Sequence, residues 1–160
     1  MSMKTKYEIV IDAIAYALED HSYNTQWYSD FDEQDTVPLI EETDCYPEEG
    51  HRLLRIEPME SWESFGMMED FVETVADEAV QNKLWSALRQ RHPFSAFKRM
   101  LDYVDLRESW FAFKDERMQR MVERWMRDEG VVYKDGTFTC DNALVFEKDD
   151  DWEDELPFGS

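Results

Sequence analysis

Residues 94–126 read FSAFKRMLDYVDLRESWFAFKDERMQRMVERWM, and the spacing of their apolar residues decides the fold class. Phe94, Phe97, Leu101 and Val104 recur at the three- and four-residue intervals that align side chains on one face of a helix. Pro93 precedes them, where proline suits a first helical turn because the N–H it lacks would have no partner there. Asp105 with Glu108 three residues on has the spacing of a capping box, so a longer helix is predicted to open there and to close at Gly130.

Toward the N-terminus the helical pattern continues. Val80, Leu84 and Leu88 predict a helix starting near Asp77, and Phe65, Met68, Val72 and Val75 predict another with Ser61 as its N-cap. Tyr7, Val10, Ile11, Ile14, Ala15 and Leu18 form the apolar stripe of a first helix. Between them the chain turns β-favouring. Segments Tyr23–Phe31 and Thr36–Ile40 flank the polar turn Asp32–Asp35 as a hairpin, with Pro38 confining its second strand to a sheet edge because proline cannot donate to a ladder. Arg52–Ile56 is a third strand before Pro58, and Glu41–Gly50 is an acidic loop. Beyond Gly130, VVYKDGTFT sets Asp135-Gly136 between two β-like runs, the strongest short-range hairpin signal in the chain. The expected fold is α+β: four or five helices with a small antiparallel β-sheet or hairpins, in a single domain over residues 1–146, followed by an acidic, disordered tail over residues 147–160.

Three segments carry a resemblance: the M-E-D-F stretch Met68–Phe71, the F-x-x-F-K of Phe94–Lys98, and the W-x-x-F of Trp110–Phe113. Over about residues 60–120 the chain resembles Uncharacterised Protein Family 0158 (UPF), a bacterial family. The resemblance implies an α+β fold and brings no assigned activity, so it transfers no functional residue. Where many members of that family have a glycine-rich turn, this chain has Arg91, His92 and Pro93.

The net charge is -21, unevenly spread. Residues 1–79 hold 4 Lys/Arg against 21 Asp/Glu, residues 80–130 hold 11 against 8, and residues 131–160 hold 2 against 9. A field of that sign favours basic protein partners and disfavours nucleic acid. With 42% hydrophobic residues the chain can bury a core, yet no run approaches the roughly 20 apolar residues of a membrane span. The first twenty residues lack the features of a signal peptide, and Cys45 and Cys140 have no metal-type spacing, so a cytoplasmic protein with reduced thiols is expected.

Candidate binding residues are Arg117, Arg120, Arg124 and Arg127, a row on one side of the long helix. Glu116 and Glu123 precede Arg120 and Arg127 by four residues, the favourable order for helical ion pairs, so the row is expected mainly to answer the protein's own acids. The neighbouring Phe111, Met118, Met121, Val122 and Trp125 read as core, and base stacking by Trp110, Phe111, Phe113 and Trp125 is the weaker reading. Asp30, Asp32 and Asp35 crowd a turn, but the segment has Asp35 where a calcium loop requires glycine, so a solvated turn is expected and no metal site. His21, His51 and His92 fall in different elements, and no P-loop, G-x-S-x-G or H-x-x-x-H occurs. No catalytic residue and no cofactor are expected. The functional expectation is a non-catalytic acidic interaction module with a basic protein partner; the alternatives are a nucleic-acid or polyanion binder using the arginine row, and a hydrolase or metal-assisted enzyme using carboxylates.

Overall fold

The computed structural model describes residues 3–148. The predicted tail lies outside the described residues from position 149 onward, and Glu147 and Lys148 have no regular structure. Five α-helices and a small antiparallel sheet, with a separate two-stranded sheet, make the fold α+β. The described residues divide into two compact units: 3–58 with 122–148, and 59–121.

The first unit begins with α1 (Lys6–Glu19), whose N-terminus is closed by a capping box that was not foreseen: Thr5 Oγ1 accepts the Glu8 N–H while the Glu8 carboxylate reaches back to Thr5 N. The helix buries Val10, Ile11, Ile14, Ala17 and Leu18. It packs on a sheet of order β2-β1-β3-β6, made of β1 (Gln26–Asp30), β2 (Asp35–Leu39), β3 (Arg52–Ile56) and β6 (Leu144–Val145). Pro38 lies in the edge strand β2, as its missing donor requires. The antiparallel register sets Tyr28, Val37, Leu39 and Leu53 on one face of the sheet, where Phe146 joins Leu39 and Leu53 in a buried cluster. Trp27 points the other way, its ring edge-on to Tyr16 of α1 at 5.8 Å.

β4 (Val131–Lys134) and β5 (Thr137–Cys140) form the expected hairpin. Asp135 and Gly136 both take positive φ, +54° and +78°, the pattern of a type I′ turn whose twist matches that of the strands. Tyr7 of α1 stacks on Phe138 and tilts against Tyr133 of this hairpin. Gln34, left-handed at φ +61°, acts as a surrogate peptide group. Its amide donates to Phe138 O at 2.8 Å and accepts from Phe138 N at 2.7 Å, satisfying the backbone of a buried residue.

Phe146 is 2% exposed, and its backbone accepts from Gly50 N and donates to His51 O, both at 2.8 Å. Removing everything after Phe146 is therefore expected to leave a cooperative thermal transition by circular dichroism, whereas removing residues 144–146 as well should abolish it or lower it steeply. A shorter form as stable as the longer one would contradict this account of β6.

The second unit holds α2 (Ser61–Glu73), α3 (Glu78–Leu88), α4 (Pro93–Tyr103) and the first part of α5 (Arg107–Glu129). Two expected helix starts hold. Asp77 caps α3 by accepting the Val80 N–H at 3.1 Å, and Pro93 is the first residue of α4. Two do not. Ser61 is the first residue of α2 rather than its cap, because Glu60 takes the N-cap position and its N–H is met by the Glu63 carboxylate. Asp105 ends α4 instead of opening α5: at φ +59° it turns the chain left-handed, so that Asp105 N donates to Asp102 O and Leu106 N to Leu101 O. Those two bonds form a Schellman motif, with aspartate where glycine is usual. Gly130, at φ +78°, closes α5 as expected. The core of this unit is aromatic, with Phe71, Phe97 and Trp110 buried and meeting edge-on.

Candidate functional site

Among the described residues of the first unit the buried polar ones are Ser29 and Asp30, and Asp30 organises the most densely connected polar cluster described. It ends β1, next to the turn that leads into β2. Its Oδ1 accepts the N–H groups of Asp32 and Glu33 at 3.0 and 2.9 Å, an Asx-type closure that shapes the turn. Its Oδ2 lies 2.8 Å from His51 Nδ1, while Asp32 Oδ2 accepts the Arg52 N–H at 2.7 Å. The other ring nitrogen of His51 faces Glu48 Oε2 at 3.1 Å. A histidine held between two carboxylates is favoured in its protonated form. The hydrogen bond to Asp30 lifts the His51 pKa above the ordinary 6.5, burial opposes the shift, and the charges of Asp30, Glu48 and Asp32 add to it.

The shift fixes a pH dependence. The folded-state pKa exceeds the unfolded one, so the stabilisation is fully present below about pH 6.5 and disappears as pH rises through the folded value. The stability difference between the wild type and His51→Asn is expected to shrink between pH 6 and pH 9. Urea denaturation of both proteins across that range checks it, with an NMR titration midpoint for His51 above 6.5 as the companion result. A difference that grows with pH would refute the carboxylate clamp.

Two sets of side chains bring possible metal-ligand atoms within 4.8 Å: Asp30, Asp32 and His51, and Glu33, Glu48 and His51. In the first set both Asp30 oxygens and Asp32 Oδ2 already accept backbone N–H groups or meet His51. In the second, a metal at the ring would have to displace the proton that both neighbouring carboxylates stabilise. Asp35 is in neither set. It spends Oδ1 on the N–H of Thr36. The nearby cleft, lined by Val10, Ile14, Phe31 and Phe138 among others, has a volume of about 10 Å³, room for a single water rather than a substrate.

The candidate arginines divide between the units, Arg117 and Arg120 in the second and Arg124 and Arg127 in the first. Arg117 pairs with Asp70 of α2, and its guanidinium lies 5.4 Å from the Phe113 ring centre. Arg120 pairs with Glu116 one turn back. Arg124 and Arg127 are exposed. The apolar stripe of α5 is displaced from the expected one: Trp110, Met118, Val122 and Met126 are buried, whereas Phe111 is 42% exposed beneath the Arg107 guanidinium. His21 and His92 join neither cluster. What sequence reasoning missed was the meeting of Asp30 with His51, which depends on β1 and β3 pairing antiparallel.

Residues 6–137 match the description "Uncharacterised protein family (UPF0158)". Over 84 residues the chain is 33% identical to "UPF0158 protein PA5073" of Pseudomonas aeruginosa, an alignment covering 52% of this chain and 55% of that protein. The match thus spans about half the length of the curated relative. No solved structure matches. With the family's description fitting most of its length, the chain belongs to the uncharacterised protein family UPF0158.

Proposed function

We propose that this protein is a non-catalytic interaction module that engages a basic protein partner through the acidic loops of its first unit. One observation carries the reading. The described residues of the first unit hold 20 Asp/Glu against 8 Lys/Arg, and Glu41, Glu42, Asp44, Glu48 and Glu49 stand exposed along the loop between β2 and β3. Carboxylates concentrated on one loop raise the encounter rate with cations and give a salt-sensitive affinity. The cytoplasm suits the reading, since Cys45 and Cys140 are free thiols.

The arginine row supports a polyanion site less well, because Arg117 and Arg120 already hold carboxylates. The cleft beside Asp30 does not favour a carboxylate hydrolase at that carboxylate, because it has room for one water only. The test is fluorescence anisotropy with a Lys/Arg-rich peptide. Neutralising the loop (Glu41→Gln, Glu42→Gln, Asp44→Asn, Glu48→Gln, Glu49→Gln) should weaken binding by about tenfold at low salt, whereas neutralising five acids of the second unit (Glu69, Glu73, Asp77, Glu78, Asp115) should change it about twofold or less. Equal effects of the two sets would reduce the affinity to bulk charge and defeat the proposal.

A further inference from the structure

From Ala79 to Leu101 the chain has no Asp or Glu and five cations, in a protein with 38 acids among 160 residues. This stretch is the α3–α4 helical hairpin of the second unit without its two ends, where Glu78 and Asp102 lie, and its helices are joined by the turn Arg89-Gln90-Arg91-His92. Arg89, Arg91, Lys98 and Arg99 are all exposed, and among the described residues none of them makes an ion pair. They differ in this from Arg117 and Arg120. The nearest acid along α4, Asp102, is taken by Arg107 at 3.4 Å.

An exposed aromatic side chain stands beside one of these cations. Phe94 is 40% exposed in the first turn of α4, one helical turn before Lys98, and its ring lies edge-on to Phe65 at 6.5 Å. Arginines and an exposed phenylalanine on one helical hairpin are closer to the composition of an interface centre than to that of a merely solvated face.

We propose that the outer face of the α3–α4 hairpin docks a short acidic protein segment carrying an apolar anchor, with Arg91, Lys98 and Arg99 meeting its carboxylates and Phe94 its apolar side chain. The surface is distinct from the acidic loops, so it stands or falls independently of them. Size and charge select the occupant. An 11-residue helix presents about 16 Å of length, which about five residues of extended peptide cover. A nucleic acid carries charge along its whole length, and beyond so small a patch it would be repelled by a protein of net -21.

The experiment measures anisotropy of a labelled eight-residue Asp/Glu peptide with a central Leu-Phe pair, beside a single-stranded oligonucleotide of equal charge, at low and physiological salt. The peptide is expected to bind the wild type at low salt. Arg91→Glu with Lys98→Glu should weaken it by about tenfold or more, Phe94→Ala by about threefold with an unchanged salt slope, and Lys134→Glu in the first unit by less than about twofold. Circular dichroism verifies the fold of each variant. The neutral pair Arg91→Gln with Lys98→Gln, expected to weaken binding about fourfold, replaces the reversal if the latter disturbs the hairpin. Absence of peptide binding, or binding that neither pair weakens, overturns the proposal. Oligonucleotide binding as tight as that of the peptide and lost with the same substitutions also overturns it, and assigns the surface to nucleic acid.

Discussion

Replacing Asp30 by alanine is expected to cost about 2–4 kcal/mol of stability, among the largest effects of any polar substitution in this protein. The side chain is 2% exposed and serves three donors, the N–H groups of Asp32 and Glu33 and the Nδ1 of His51. Hydrogen bonds to a charged acceptor contribute about 1.5–3 kcal/mol each when counted singly, but their sum overstates the loss because water can reach the partly exposed turn. Asp30→Asn should cost about half as much, since an amide oxygen can still close the turn while the charge facing His51 is gone. Urea denaturation of both variants gives the ranking. If the alanine variant loses less than about 1 kcal/mol, the cluster is an ornament of the turn and not its anchor. In a cycle with His51→Ala the two losses should be clearly non-additive, as contacting residues require.

The same cluster marks the limit of what the sequence discloses. Local chemistry was legible where a signal and its consequence lie within a few residues, as in the Asp135-Gly136 turn, the Asp77 cap and the Pro93 start. It misled where one local pattern serves two geometries. Asp105 followed by Glu108 has capping-box spacing, yet a short polar side chain also tolerates the left-handed conformation that ends a helix, and here it does so. Contacts distant in sequence had no signal at all. His51 meets Asp30 across 21 residues, Gln34 completes the backbone of Phe138 across 104, and the two-residue β6 is too short for any periodicity to announce it. The arginine row was conspicuous because its spacing is helical, whereas Arg89, Arg91, Lys98 and Arg99 became conspicuous only once it could be seen that none of them makes an ion pair among the described residues.

Phe97→Ala should be the most damaging single substitution in the second unit, with an expected loss of about 3–5 kcal/mol. Phe97 has no exposed surface and stands edge-on to two other rings, Phe71 at 6.4 Å and Trp110 at 5.2 Å. Truncation would leave a ring-sized void between side chains that α2 and α5 hold in place, and both ring pairs would be lost together with the buried area. Phe97→Leu keeps most of the volume and should cost less than half as much, because what remains missing is ring geometry rather than bulk. Phe94 supplies the internal control three residues away. With 40% of its surface already in water, Phe94→Ala should cost about 1 kcal/mol or less, although it removes the same number of atoms. The three variants are compared by urea denaturation followed through helical circular dichroism. Should Phe94→Ala prove as costly as Phe97→Ala, the α4 face proposed for docking would instead be part of the core, and the stability measurement alone would withdraw Phe94 from any role in binding.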